Sequence, residues 1–264
     1  MESGTIGLSI ASNKGLVRTS NEDNFSVNGK TRPMHDNNIH INGRISVDEL
    51  SVLGVFDGMG GEELGELASD IGAQFTLKLS ERLDKADKEE YPSIVNGYVQ
   101  AANDEICRRL RNQDSKRGGT TFALIYIKDG MVYPYSLGDS RIYMYHDGVL
   151  AQITTDHTLA MKKYKANIYT LEEARNSSDS HKLTLFLGVD VDGDGLTAEQ
   201  YKPFRLPDKG RILLCSDGLY DMCDEDTIRR ILQTPSEDYS SLLLKEALDK
   251  GGIDNITCIV ADLG

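Results

Sequence analysis

Several carboxylates in this chain stand where an apolar run meets glycine or asparagine. Asp57 ends Val52-Leu53-Gly54-Val55-Phe56 and is followed by Gly58, and Asp217 closes RILLCSD ahead of Gly218. Asp139 lies in SLGDSR, and Asp254 opens the last apolar run in GGIDNIT. Glu22 and Asp23 add two more acids in RTSNEDN. Asp-Gly is common strand punctuation, and the pairs at 129–130 and 147–148 read as turns. Asp57 and Asp217 differ, because the apolar run before each holds its carboxylate at the edge of a core. Like charges gathered there are prohibitive unless a cation neutralises them. An all-oxygen ligand set suits Mg²⁺ or Mn²⁺ rather than zinc. Gly58 has no Cβ, so its carbonyl can approach such an ion closely. Arg18, four residues before Glu22, adds a guanidinium able to make bidentate contacts to a phosphoryl group.

The elements that must position these groups are mostly strands. GTIGLSIAS, DNFSVNGK, NIHINGRI and LSVLGVFD read as strands, with Asn-Gly steps at 28–29 and 42–43 as turn signals. From Glu62 the period becomes helical: Leu64, Leu67, Ala68, Ile71, Phe75, Leu79 and Leu83 share one face. A second helix is expected from about Tyr91 to Arg111. Residues 119–153 return to strands around the two Asp-Gly turns, several of them apolar on both faces, as strands covered on two sides must be. Segment 156–182 is polar and partly helical, with LEEAR its clearest turn. Strands resume at LTLFLGV, YKPFRL and RILLCSD, and a helix carrying Leu242, Leu243, Ala247 and Leu248 precedes the last strand, NITCIVADL. These elements predict one α+β domain over 1–264: a central sandwich of two antiparallel sheets with helices on both outer faces.

Composition sets the outer limits. The 264 residues are 39% hydrophobic and 27% charged, and the net charge is −13. An acidic surface repels polyanions, and Lys162-Lys163 and Arg229-Arg230 are isolated pairs, so nucleic acid is not an expected partner. No apolar run approaches the ~18 residues of a membrane span, and the N-terminus has no basic-then-apolar signal pattern. Cys107, Cys215, Cys223 and Cys258 are scattered; Cys215 and Cys258 read as small core residues. The expected compartment is cytoplasmic. Residues 190–201, DVDGDGLTAEQY, place Asp190, Asp192, Asp194 and Gly195 as an EF-hand loop does. Tyr201 stands where that loop needs its bidentate glutamate, and a strand-like run precedes it, both of which argue against an EF-hand.

RTSNEDNF, VFDGMGG, GGTT with SLGDSRIY, ILLCSDGLYDM and DNITCIV, in this order, resemble the PPM family of metal-dependent Ser/Thr protein phosphatases (2C type), the bacterial branch in particular. The resemblance spans about Thr5 to Leu263. It implies the same sandwich, with two Mn²⁺ or Mg²⁺ ions at one end and a water they activate as nucleophile. By motif, Asp57 would bridge both ions, Gly58 would bind one through its carbonyl, and Asp217 and Asp254 would hold the other. Glu22 and Asp23 would act mainly through waters, and Asp139 with Asp217 would help bind a third ion. Arg18 matches the phosphate-binding arginine. The resemblance implies phosphorylated proteins as substrates and a bacterial Ser/Thr kinase as counterpart. The alternative class is a catalytically weak pseudophosphatase serving as a regulatory binding module; such members lose metal-binding aspartates, and here all are present. Two departures stand out. Many eukaryotic relatives carry histidine after the Asp-Gly as leaving-group acid, where this chain has Met59, which leaves that role to a metal-bound water or, less favoured, to His157. Segment 158–182 matches the family's variable flap, and its KKYKANIY is unlike the usual sequence.

Overall fold

The computed structural model describes residues 4–111, 118–189 and 195–264. Fifteen strands and seven α-helices follow one another in the described residues. First come β1 (Thr5–Asn13), β2 (Asn24–Val27), β3 (Lys30–Thr31), β4 (Asn38–Ser46), β5 (Ser51–Phe56) and β6 (Gly58–Met59). Helices α1 (Glu62–Asp84) and α2 (Tyr91–Arg111) are next, then β7 (Gly119–Thr120), β8 (Phe122–Lys128), β9 (Met131–Leu137), β10 (Arg141–His146) and β11 (Val149–Gln152). Helices α3 (Leu159–Lys165) and α4 (Leu171–Asn176) fill segment 158–182. The chain closes with β12 (Glu199–Gln200), β13 (Phe204–Arg205), β14 (Arg211–Cys215), α5 (Asp217–Tyr220), α6 (Glu225–Gln233), α7 (Tyr239–Asp249) and β15 (Ile256–Asp262).

Two antiparallel sheets carry the fold. One runs β11-β10-β14-β15-β1-β4; the other runs β12-β9-β8-β5-β2-β3, with β13 also on β9. Alternation along each strand builds a layered core. Leu53 and Val55 of β5 face the other sheet, in one cluster with Leu8, Ile10, Ile125, Ile212 and Ile259, whereas Val52 and Phe56 face out toward α1 and α2. On the opposite side Leu213, Cys215, Cys258 and Val260 pack under α6 and α7. Both faces of the central strands are therefore dry, which is why their sequences read apolar without interruption. The expected α-β-β-α layering is present, and α2 has the predicted limits. No helix among the described residues is long and apolar enough to cross a membrane.

Turn chemistry mostly follows the sequence. Asn28-Gly29, Asp129-Gly130 and Asp147-Gly148 all have positive φ at both residues, as a tight two-residue hairpin requires. Asn42-Gly43 does not turn. It lies inside β4, opposite Ser9 and Leu8 of β1, because β4 is an edge strand whose nine pairs with β1 keep the backbone extended. LTLFLGV is not a regular strand either: it makes only isolated bridges, Leu183 to Thr158 and Leu187 to Thr120. YKPFRL contributes just the two residues of β13. The acidic positions of the EF-hand-like loop, 190–194, lie outside the described residues.

Candidate metal and phosphate centre

The strand ends and loops at one rim of the sandwich enclose a cleft of about 320 Å³. Its lining includes Arg18, Glu22, Asp57, Gly58, Met59, Asp139, Asp217 and Asp254, residues drawn from five separate segments of the chain. Local hydrogen bonds fix the segments that carry these groups. The Asp57 carbonyl accepts from Thr121 N (2.9 Å) and Thr120 Oγ1 (2.9 Å), while Asp57 N donates to Thr121 Oγ1 (3.2 Å). Thr121 Oγ1 and Ser140 Oγ are 2.6 Å apart, so the GGTT segment ties the Asp57 strand end to the turn bearing Asp139. Asn255 joins the remaining loops: its Oδ1 accepts from Glu22 N (2.8 Å), and its Nδ2 donates to the carbonyls of Lys14 and Ser20.

Asp23 is the predicted site residue that stands apart. It is buried behind the cleft wall and accepts from Ser216 Oγ at 2.7 Å, so it reaches Asp217 through the backbone of Ser216. His157 is also away from the cleft. Its Nδ1 accepts from Gly138 N (3.0 Å), so Nε2 carries the proton toward Glu199 Oε2 (2.6 Å). That places His157 as a brace for the Gly138–Asp139 turn.

The electrostatics are those of crowded acids. Burial pushes the Asp57 carboxyl well above the usual range, reinforced by the charges of Asp217, Asp23, Asp139 and Asp254. Asp139 is raised the same way, by burial and then by Asp217. Burial lifts Asp217 to about 6, partly offset by a hydrogen bond with Asp57, and Asp23 to about 7. Arg18 offsets little of this: Nη2 donates to Asp254 Oδ2 at 2.7 Å, and its side chain is 52% exposed. Acids forced together with so little cationic compensation fit a divalent cation. The glycines agree. A Cβ on Gly58 would meet Gly65 O at 2.2 Å and Glu22 O at 2.4 Å, and one on Gly65 would fall 1.8 Å from Glu22 Oε2. A side chain at Gly58 or Gly65 would therefore push the Asp57 strand end, the Glu22 loop and α1 apart.

Sequence reading missed Arg32, His181 and Asp221. Arg32 is fully buried and donates to the carbonyls of Asn21 (2.8 Å), Asp23 (2.8 Å) and Asp36 (2.6 Å) while pairing with Glu66 (3.1 Å). It thereby fixes the loop on either side of Glu22. His181 lines the cleft, and one ligand atom from each of His181, Asp217 and Asp221 lies within 4.8 Å of the others. Asp221 stands one helical turn after Asp217, a spacing present in the sequence, whereas nothing local marks Arg32 or His181.

An acid-lined cleft at the end of a two-sheet sandwich, with an arginine at its mouth, defines a phosphate-handling, cation-dependent class of site. The protein phosphatase 2C family model matches residues 41–249, and the chain belongs to that family. It is 31% identical over 258 residues to the serine/threonine protein phosphatase PstP of Mycobacterium tuberculosis, covering 96% of this chain but 44% of that protein's length. The serine/threonine phosphatase stp of Listeria monocytogenes is 28% identical over 94% of this chain and 92% of its own. Among solved structures, Stp1 of Staphylococcus aureus superposes with a TM-score of 0.82 at 25% identity, covering 100% of this chain and 98% of that one. The catalytic domain of PstP in complex with two manganese ions superposes with a TM-score of 0.74 at 29% identity, covering 98% of each chain.

Proposed function

We propose that this chain hydrolyses phosphoserine and phosphothreonine in proteins, using two Mn²⁺ or Mg²⁺ ions. The observation that carries this reading is the convergence of Glu22, Asp57, Asp139, Asp217 and Asp254 with Arg18 on one cleft. A regulatory binding module would need no such convergence. Asp57, the Gly58 carbonyl, Asp217 and Asp254 would hold the two ions, with Glu22 and Asp23 supporting them and Asp139 and Asp217 available to a third. When bound, the ions supply Lewis acidity and an activated water. Arg18 binds the equatorial phosphoryl oxygens, its guanidinium shared between substrate and Asp254. Segment 158–182 forms a flap beside the cleft, and the proteins it admits would be those phosphorylated by a cytoplasmic bacterial Ser/Thr kinase. The test is Mn²⁺-dependent release of phosphate from phosphothreonine peptides at neutral and alkaline pH. No release at any Mn²⁺ concentration would sink the reading.

Met59 cannot donate a proton to the departing seryl or threonyl oxygen. His181 is the one histidine lining the cleft among the described residues, 3.8 Å from Asp221 through Nδ1. Beside the metal-bound water expected in that role, we propose its ring as a donor. His181→Asn is then expected to lower kcat on a phosphoserine peptide by about 10²-fold. Hydrolysis of p-nitrophenyl phosphate should change far less, because that phenolate leaves without a proton. Equal losses on both substrates would rule out the assignment.

A further inference from the structure

The ladder between β10 and β14 stops at Arg141 opposite Cys215. Asp139 stands two residues beyond that last pair on one strand, and Asp217 two residues beyond it on the other. The strands are antiparallel, so both acids leave the sheet at the same end, where the ladder no longer sets the gap between them. Tyr220 spans that gap. It is the last residue of the single turn α5, which Asp217 opens, and Asp221 N donates to Asp217 O at 2.9 Å, so Tyr220 and Asp217 belong to one short rigid piece. From there the Tyr220 hydroxyl donates to Asp139 O at 3.1 Å. The ring is held as well: Cζ of Arg141 lies 3.5 Å from its centroid, a close cation–π contact. Arg141 is itself fixed. Its Nε and Nη2 donate to Asp156 at 3.0 and 2.7 Å, and its Nη1 donates to Tyr143 Oη at 3.0 Å. The tyrosine is therefore clamped twice, by ring and by hydroxyl, against the segment that carries Asp139.

We propose that Tyr220 is a positioning residue: its hydroxyl fixes Asp139 relative to Asp217 and so sets the affinity for the third divalent ion proposed to use those two acids. This rests on the reading of the cleft as a cation-dependent phosphatase centre. Two carboxylates that share a site repel each other, and Asp139 feels the charge of Asp217. A tie between their backbones limits how far they can part, so a cation meets ligands already in place and less ordering is left to the binding step. The ions proposed at Asp57 depend on different ties. Thr120 and Thr121 hold the Asp57 backbone and Asn255 holds Glu22, so the Tyr220 hydroxyl should leave those ions nearly untouched.

The experiment is Mn²⁺ titration without substrate, followed by the electron paramagnetic resonance of free Mn²⁺, on wild type, Tyr220→Phe, Asp139→Asn and the double variant. Phenylalanine keeps the ring for Arg141 and removes only the tie. Wild type is expected to show a tight class of two ions and a weaker class of one, and Asp139→Asn to lose the weaker class. Tyr220→Phe should weaken that class about tenfold while the tight class changes by less than about twofold. The double variant should match Asp139→Asn, because the hydroxyl acts through Asp139. An unchanged weaker class in Tyr220→Phe would overturn the role of Tyr220 and leave the phosphatase reading standing. Equal weakening of both classes would make the hydroxyl a general fold contact and overturn its positioning role too. A wild type that binds two ions and no more, or a weaker class that survives Asp139→Asn, would remove the third ion from these acids and the role with it. A wild type that binds no Mn²⁺ would overturn the phosphatase reading itself.

Discussion

Asp57→Asn is expected to abolish catalysis and, without metal, to stabilise the fold. The activity loss should reach about 10³-fold or more, since the neutral amide removes the carboxylate that both ions are proposed to share. The stability effect has the opposite sign. Burial and the neighbouring acids raise the folded-state pKa values of Asp57, Asp139, Asp217 and Asp23 above their unfolded values near about 4. A carboxyl so shifted keeps its proton better when folded, so the native state binds more protons than the unfolded chain between that value and the folded one. For Asp217 and Asp23 the window ends at about 6 and about 7. Through it, stability falls as pH rises. In chelator the wild-type protein is thus expected to melt higher at pH 5 than at pH 7 as far as these groups decide it. Asp57→Asn removes a buried carboxyl that ionises more readily in the unfolded chain, and should melt roughly 3–6 °C above wild type at pH 7. Added Mn²⁺ should reverse the order by stabilising the wild type far more. Equal Mn²⁺-induced shifts in the two proteins would contradict a shared cation at Asp57.

The second large effect concerns a residue that touches no substrate. Arg32→Met should cost about 3–5 kcal/mol, because it removes the buried cationic partner of Glu66, leaving that carboxylate only its contacts with His35, and leaves loop carbonyls without donors. On a chain of this size that lowers the melting temperature by about 10 °C. Glu22 sits between two of the released carbonyls, so the Mn²⁺ concentration for half-maximal activity should also rise. Pairing Arg32→Met with Glu66→Leu should recover part of the stability, since that carboxylate is then gone. A loss under about 1 kcal/mol in denaturant titration would show that other donors, including water, satisfy the loop.

The sequence was most legible where a strong period coincided with complete burial. Helices α1 and α2 present one unbroken apolar face each, and the hairpins around 129–130 and 147–148 carry turn residues that suit left-handed backbone. The carboxylates could be picked out because a polar residue interrupts a dry strand at its end. Asn42-Gly43 misled because local turn preference lost to long-range pairing with β1, which no nearby residue announces. LTLFLGV misled because its apolar residues serve different neighbours: Leu187 packs under α2, whereas Leu183 lines the cleft. His181 left no signal because its partners are distant in the chain, and Arg32 left none because most of its partners are loop carbonyls, which no residue type announces.

The Arg18–Asp254 bridge joins residues 236 positions apart. Strand β15, which follows Asp254, lies between β1 and β14, so the last strand described is also the centre of its sheet. Closing so long a loop is slow, and the contacts that repay its entropy arrive late. A chain emerging from the ribosome therefore cannot complete the cleft until β15 has been made and inserted between two strands already in place. Regain of enzymatic turnover after dilution from denaturant should consequently trail the recovery of helix signal from α1 and α2, which makes turnover a clock for the final step of folding.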